Sequence, residues 1–394
     1  MARLKRIPAD QLSVGMYIAE QGNDWIPESN RKRGGEVKSA TVLQQVADSG
    51  TSIVLIDIDL GLDCAVGDLI SEITAKPRAK PPATGCSLEA EQARANALHS
   101  QALGLVKETM DNVKKGKSID VSQVDMLADE MVDSIYSNQN ALICLSQIRS
   151  KDAYLLEHSC NVGLLMGVLA KGMDFTPAQV QELITGGMLH DIGKIRIDDA
   201  ILHKEGKLDE DEWAEMRSHV TYGVEALERT GGISEVIMSI CAQHHERLDG
   251  GGYPFGLSKG EISLYGRMAT VVDVYDAITA DRCYHKGMAP AIAMKRLNEW
   301  AGDHMDRELV HQFVRAMSVY PVGSVVELDS HELGIVTETN PARPAHPSVK
   351  IIFHAKTREY LPEVKVDLAA SGEKRVIIRP VEAKQYGIKL RDFV

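Results

Sequence analysis

Aromatic residues are scarce in this sequence, at 5% of 394 residues, and long apolar runs are missing. No stretch approaches the roughly 18 consecutive apolar residues that a membrane-spanning helix needs. The first ten residues carry charges without an apolar segment. We therefore expect neither a membrane span nor a signal peptide.

Paired cysteines and an excess of positive charge are also missing. The six cysteines are scattered, and none forms a Cys-x-x-Cys pair, which indicates a reducing compartment and predicts a cytoplasmic protein. The net charge of −12 disfavours general binding to DNA or RNA. A small anionic ligand is still compatible with it, because metal ions and local charges can outweigh the global field.

The length and the changing residue patterns predict several domains. Residues 1–75 show mixed α/β patterns, and residues 76–120 combine a Pro- and Lys-rich linker with a connecting helix. Residues 121–318 are helical by pattern, and residues 319–394 contain short β-rich runs. We predict a multidomain α+β fold, in which an all-α domain is flanked by a small mixed α/β N-terminal domain and a small β-rich C-terminal domain. The amphipathic segment 96–115 needs an apolar partner, which favours a homodimer.

Histidine and aspartate fall on the apolar faces of four predicted helices in the helical region. A lone histidine on such a face is usually a packed core residue, but four such helices in one stretch are hard to explain in this way. Burying an isolated ionised carboxylate is costly, so buried charges are paired or bind metal. Neutral imidazoles do not neutralise carboxylates, whereas a pair of divalent metal ions would. The residues concerned are His158, His190, Asp191, His244, His245, Asp273 and Asp276.

Two motifs in this region match a known family. Residues 190–194 have the sequence HDIGK, and residues 244–254 have the sequence HHERLDGGGYP. Together with His158, His219 and Asp273, they resemble the HD-GYP subgroup of HD-domain phosphohydrolases. The resemblance implies a bacterial enzyme that hydrolyses cyclic di-GMP, or in some members cyclic GMP-AMP, in second-messenger signalling.

The resemblance also implies a centre of two divalent metal ions. Iron or manganese is the expected metal, with zinc, nickel and cobalt as alternatives. One metal ion would be held by His158, His190, Asp191 and Asp273. The second would be held by Asp191, His219, His244 and His245, with Asp191 as the bridge between the two.

The roles in catalysis follow from the same resemblance, which covers about residues 140–318. Asp191 and Lys194 are the expected catalytic residues, because two metal ions polarise a phosphodiester and Lys194 would offset the developing charge. The first product would be the linear dinucleotide, and a second cut would give mononucleotides. The expected substrate contacts are Lys194, Gly252, Tyr253, Pro254 and Arg282.

Several positions depart from the family pattern or leave alternatives open. Trinuclear members carry a glutamate four residues before the first histidine, where this chain has Tyr154, so we expect two metal ions. Asp276 is expected to support the site or to bind a third metal ion weakly. Glu246 and Asp249 are interpreted either as outer partners of the histidines or as part of a polar loop that caps the helix. Trp213 is expected to be a packing residue.

The function predicted from the sequence is a phosphodiesterase acting on a cyclic dinucleotide. The alternative is a sensor that binds the dinucleotide with little turnover, against which the intact ligand set argues. A third hypothesis is another class of HD enzyme that acts on a nucleoside phosphate, against which the GYP element argues. The expected partners are the cyclic dinucleotide, GGDEF-type signalling proteins bound through the GYP loop, and a second copy of the chain.

Overall fold

The protein combines a mostly helical core with a small antiparallel sheet near each end, which confirms the predicted fold class. The chain divides into two compact units, residues 1–77 and 78–394. The boundaries of the four predicted segments stay predictions, and the linker part of residues 76–120 lies outside the described residues. The computed structural model describes residues 4–18, 35–48, 53–64, 68–69, 88–146, 154–204, 206–280, 287–340, 342–390 and 393.

Within the described residues, the first unit contains a five-stranded antiparallel sheet and one α-helix. Its elements are β1 (Leu4–Pro8), β2 (Tyr17–Ile18), β3 (Gly35–Glu36), α1 (Ala40–Asp48), β4 (Ile53–Asp57) and β5 (Asp68–Leu69). The strand order is β3-β2-β4-β1-β5. Ile7, Val54 and Ile56 are fully buried and form a small core with Val46 of α1. This agrees with the mixed α/β pattern of the sequence.

Helices dominate the second unit as far as Met317. They are α2 (Leu88–Lys114), α3 (Val121–Ser146), α4 (Tyr154–Gly172), α5 (Pro177–Leu189), α6 (Asp199–Leu202), α7 (Glu210–Arg217), α8 (His219–Thr230), α9 (Glu235–Gln243), α10 (Leu264–Thr279), α11 (Pro290–Trp300) and α12 (Arg307–Met317). Within the described ranges, none of the helices has both the length and the apolar character needed to cross a membrane.

The apolar face of α2 is covered within the chain. Leu98, Ala102, Val106 and Met110 recur at helical spacing and are buried in the same core as α3, on which α2 packs. The amphipathic pattern of segment 96–115 predicts an apolar partner, and that partner is α3 of the same chain. The argument for a homodimer from this face does not hold.

The C-terminal sheet is part of the second unit. Its strands are β6 (Val325–Leu328), β7 (Glu332–Glu338), β8 (Ser348–His354), β9 (Glu359–Asp367) and β10 (Ile377–Val381), in the order β10-β6-β7-β8-β9 with antiparallel pairing. Val326, Val336, Val349 and Ile351 belong to the same buried cluster as the helical core. These residues of the sheet therefore pack on the helices, while Leu333, Ile335 and Phe353 belong to a second buried cluster.

Glycines allow α4 and α5 to pack at close range. A Cβ atom built on Gly187 would lie 2.7 Å from the Cα atom of Gly163, and one built on Gly163 would lie 2.9 Å from the carbonyl oxygen of Ile184. The two backbones therefore touch at a point where a side chain would separate them. This contact fixes the distance between the start of α4 and the residues that follow α5.

We predict that Gly187→Ala lowers the free energy of unfolding by about 1–3 kcal/mol, because the added methyl group overpacks the helix crossing. Gly104→Ala is the matched control, since Gly104 is an exposed glycine inside α2 and a Cβ atom added there would have no neighbour within 4 Å. It should raise the free energy of unfolding by up to about 1 kcal/mol, because alanine is the better helix former. Denaturant unfolding of both variants is the measurement, and equal stabilities would contradict the close-packing argument.

Candidate metal centre

Several of the expected ligands come directly after a helix. Helix α5 begins with a capping box, in which Thr176 and Gln179 bond to each other's backbone, and its end leaves His190 and Asp191 at the start of a short 3-10 helix. Helix α9 ends just before His244, and His245 follows. Side chains at helix ends can turn towards a common point more easily than side chains on parallel faces.

The remaining ligands come from three other helices. His158 lies in the first turns of α4, His219 is the first residue of α8, and Asp273 and Asp276 lie on α10. All of these residues are buried, whereas 22% of the side-chain surface of His245 is exposed to solvent. The structure thus brings together the histidines and aspartates that the sequence singled out.

Asp191 lies at the centre of the cluster. Its Oδ2 atom is 3.4 Å from Nε2 of His158 and 3.3 Å from Nε2 of His190. Its Oδ1 atom is 3.3 Å from Nε2 of His219 and 3.6 Å from Nε2 of His244. The two oxygens of one carboxylate therefore face two different sets of imidazoles.

Backbone carbonyl groups fix the orientation of three imidazole rings. His190 and His219 donate from Nδ1 to the carbonyl oxygens of Gly187 and Met216, each at 2.7 Å. His244 donates from Nδ1 to the carbonyl oxygen three residues earlier, at 2.9 Å. With the proton on Nδ1, a neutral ring presents the lone pair of Nε2 to the centre, which is how metal-binding histidines are usually held.

Buried polar atoms without hydrogen-bond partners point into this centre. They are Nε2 of His158, Nε2 of His190 and Oδ1 of Asp191. Such atoms are rare in folded proteins and require an explanation, for which a bound cation is one of the accepted answers. The donor atoms also divide into two groups, each with all its atoms within 4.8 Å of one another. One group is His158, His190 and Asp273, and the other is Asp191, His219, His244 and His245. This donor set fits two divalent cations.

Asp276 orients His158. Its Oδ2 atom lies 2.7 Å from Nδ1 of His158, so that this ring, unlike the other three, is held by a carboxylate. The ring of Tyr154 is nearly parallel to that of His158, with 5.8 Å between the centroids and 10° between the planes. A carboxylate behind a ligand histidine fixes the ring and raises its basicity. This geometry favours the supporting role for Asp276.

The pKa values in the cluster reflect burial opposed by neighbouring charges. Burial would raise the pKa of Asp191, but electrostatic interactions with His190 and with the ammonium group of Lys194 hold it well below its usual range. Burial lowers the pKa values of His219 and His245, which keeps these imidazoles neutral. Ionised carboxylates beside neutral imidazoles are the protonation states in which these groups bind metal.

The pKa of His158 is shifted in the opposite direction to those of His219 and His245. Burial lowers its pKa, but Tyr154 and the carboxylates of Asp191, Asp273 and Asp276 together raise it well above its usual range. A cation is therefore favoured among these three carboxylates, whether it is a proton on the ring or a metal ion beside it.

Lys194 is the cation of the cluster. Its ammonium group donates to Oδ2 of Asp191, and 17% of its side chain is exposed. Burial lowers the pKa of Lys194, but the charge of Asp191 more than offsets this and leaves the pKa above its usual value. A lysine that is charged, close to the bridging carboxylate and partly exposed is suited to contact an anion bound at the centre.

The GYP loop is anchored by Glu246. The two carboxylate oxygens of this buried residue accept hydrogen bonds from the backbone N–H groups of Phe255, at 2.8 Å, and Leu257, at 2.9 Å. A Cβ atom on Gly252 would lie 2.5 Å from the Cα atom of Glu246, so the loop folds closely over its own start. The ring of Tyr253 is thereby held against His245, with 4.6 Å between the centroids.

The structure thus decides between the interpretations that were open for two acidic residues. Glu246 holds the loop rather than a histidine ring, and Asp249 is a half-exposed partner of Arg247 and of the backbone of Gly251. The sequence motif indicated where Glu246 lies but not which way its carboxylate turns.

Other predicted contacts have different outcomes. Pro254 is exposed in the GYP loop, and Arg282 lies outside the described residues. Trp213, expected to be a packing residue, is 46% exposed and lies beside Tyr253. A tryptophan six residues before a ligand histidine, on a short polar helix, was the available signal that it borders the site.

Three segments of the chain match known domain families. Residues 143–309 match the HD domain, and residues 4–124 match a domain of unknown function (DUF3391). Residues 325–389 match the KOW domain associated with HD domain. The first match contains all the residues of the centre.

Curated relatives cover the HD region or the whole chain. A cyclic di-GMP phosphodiesterase of Pseudomonas aeruginosa is 38% identical over 386 residues, which are 96% of this chain and 93% of that protein. The 3'3'-cGAMP-specific phosphodiesterase 2 of Vibrio cholerae is 35% identical over 47% of this chain and 34% of that protein. A cyclic di-GMP phosphodiesterase of Thermotoga maritima is 34% identical over 47% of this chain and 50% of that protein. With a nearly full-length match and both motifs in place, the chain belongs to the HD-GYP family of HD-domain proteins.

Proposed function

We propose that this protein is a metal-dependent phosphodiesterase that hydrolyses a cyclic dinucleotide, cyclic di-GMP or 3'3'-cGAMP, in bacterial second-messenger signalling. The observation that carries this proposal is the set of buried donor atoms around Asp191 that lack hydrogen-bond partners. The names of the relatives supply the substrate class, since the P. aeruginosa protein matches this chain over nearly its whole length.

Two divalent cations are proposed to bind here, one to each group of donor atoms. The opposed oxygens of Asp191 support its role as the bridge between them. A set of imidazoles with few carboxylates suits iron or manganese, and zinc, nickel or cobalt remain alternatives. Each of the four oriented imidazoles is held by a backbone carbonyl or a carboxylate, so little rearrangement is needed for binding.

When bound, two such cations supply an activated water molecule and offset negative charge on the phosphodiester. The residues of the chain hold and orient the substrate around them. Lys194 places an ammonium group where charge develops on the phosphoryl oxygens. Tyr253 and the GYP loop cover the centre from the side of His245 and limit the entry of water. Cleavage of one phosphodiester gives the linear dinucleotide, and a second cleavage would give mononucleotides.

The remaining parts of the proposal concern regulation and context. Within the described ranges, residues 1–75 and 319–394 contribute no side chain to the two donor groups, so we assign them regulation or contact with partners. GGDEF-type proteins docking on the GYP loop and a second copy of the chain are the proposed partners. Cys64, Cys144, Cys160 and Cys241 are buried free thiols, which supports a reducing compartment such as the cytoplasm. The alternative of a sensor with little turnover is separated from an enzyme by product analysis.

The bridging role of Asp191 predicts that Asp191→Asn lowers kcat/KM for cyclic di-GMP by at least about 100-fold, because the neutral amide removes a charge that both cations share. Metal content should fall together with activity. The matched control is Asp199→Asn, which changes an exposed carboxylate at the start of α6 and should leave both quantities nearly unchanged. Product chromatography and elemental analysis of anaerobically purified protein make the test. Near-normal turnover by Asp191→Asn with metal still bound would refute the assignment.

The position of Asp276 behind His158 predicts two metal ions per chain, and not three. Asp276→Asn should weaken metal binding by about 10–100-fold, as expected for a partner of a ligand, while two ions still bind at saturating metal. Metal titration followed by elemental analysis measures affinity and stoichiometry separately. Three fully occupied sites in the wild-type chain, with the third lost in the variant, would show instead that Asp276 is itself a ligand.

The anchoring of the GYP loop predicts that Glu246→Gln raises KM while the metal content is unchanged. A glutamine offers one acceptor oxygen for two loop N–H groups, and a buried unsatisfied donor costs about 1–3 kcal/mol. Glu261→Gln is the control, because Glu261 also accepts from a backbone N–H group, that of Ser258, but is exposed. Steady-state kinetics on the metal-loaded chain give the result. Loss of metal in Glu246→Gln would mean that this carboxylate supports the ligands and not the loop.

A further inference from the structure

An exposed tryptophan borders the metal centre. Trp213 lies on α7 and keeps 46% of its surface exposed, which is unusual for the largest apolar side chain. Its ring lies nearly perpendicular to the ring of Tyr253 in the GYP loop, with 6.3 Å between the centroids and 75° between the planes. This contact leaves much of the indole facing solvent.

Trp213 is the outer end of a row of rings that reaches the metal ligands. Tyr253 lies 4.6 Å from His245 and 6.3 Å from His219, measured between ring centroids. The row therefore runs from Trp213 through Tyr253 to two of the proposed ligand rings. A nucleotide whose phosphate lies at the centre would extend its ribose and base outwards along this wall.

A positively charged residue, Arg217, lies on the same face of α7 as Trp213. Arg217 is exposed and follows Trp213 by four residues, which places the two side chains on one face of the helix. Arginine pairs readily with phosphate oxygens and with the O6 and N7 atoms of guanine.

We propose that Trp213 stacks on a purine base of the cyclic dinucleotide, with Arg217 beside it on the same rim. The proposal rests on the function proposed above and adds a base-recognition surface outside the two sequence motifs. An aromatic side chain with an open face stacks on any base, and such contacts are among the main contributors to binding of unpaired nucleotides. The competing explanation is that Trp213 only packs against Tyr253 and so keeps the loop closed.

The test uses the full-length, metal-loaded chain with cyclic di-GMP and 3'3'-cGAMP as substrates. Trp213→Ala should raise KM roughly tenfold, the size of one lost stacking contact, with kcat changed much less. Trp213→Phe retains an aromatic face and should keep KM near the wild-type value. Tyr360→Ala removes a comparably exposed ring from β9 and serves as the control, with no expected change in KM or kcat.

Fluorescence gives a second measurement that does not depend on turnover. The sequence has three tryptophans, at positions 25, 213 and 300. Stacking on a base should quench part of the emission when the dinucleotide is added to the wild type or to Trp300→Phe. The quenching should be lost in Trp213→Phe, although that variant still binds.

The outcomes separate the alternatives. A fall in kcat of Trp213→Ala at unchanged KM, or quenching that persists in Trp213→Phe, would overturn the stacking role and leave Trp213 as a support for the loop. A wild-type chain that shows the quenching but no hydrolysis would contradict the proposed activity while supporting the base contact. Hydrolysis by the wild type with normal kinetics in Trp213→Ala would leave the proposed activity intact and refute this inference.

Discussion

This part of the structure depends on compensating the negative charge of three buried carboxylates that lie among imidazole rings. Asp191, Asp273 and Asp276 are almost inaccessible to solvent and meet around His158. Their mutual repulsion and loss of hydration would be strongly unfavourable unless a cation lay among them. Lys194 supplies one positive charge, and the raised pKa of His158 shows that the cluster favours more. Divalent cations would supply the additional positive charge.

The surrounding fold keeps the carboxylates at fixed separations. The glycine contact between α4 and α5 sets the distance from His158 to Asp191, and the backbone carbonyls that hold His190 and His219 set their ring orientations. These devices are rigid because they use backbone atoms, which cannot change rotamer. A centre assembled in this way is ready for its cations before they arrive, and binding energy is then available for affinity instead of reorganisation.

The features that could be predicted from the sequence are those that depend on residues close together in the chain. Most of the proposed ligand residues lie in the HDIGK and HHE motifs, which are local, and the helices before these motifs begin at capping residues such as Thr176 and Ser234. Long-range packing was not predictable in the same way, so α2 was assigned an external partner when its partner is α3. Strand β9 is difficult to predict from the sequence, because it is a mostly exposed edge strand that contains Pro362. The direction of the Glu246 side chain depends on where the GYP loop returns, which no local pattern encodes.

The exposed ring of Trp213 also bears on how a chain of net charge −12 would bind an anionic dinucleotide. Long-range attraction is unfavourable for such a pair, so affinity must come from contacts made at short distance, where screening by salt and by the rest of the surface matters less. The roles proposed for Lys194 and the cations concern the phosphate group, which is common to all phosphodiesters. Discrimination of a cyclic dinucleotide from other phosphodiesters therefore requires contacts to the bases. Among the described residues near the centre, Trp213 has an aromatic ring that is 46% exposed and therefore accessible for such a contact.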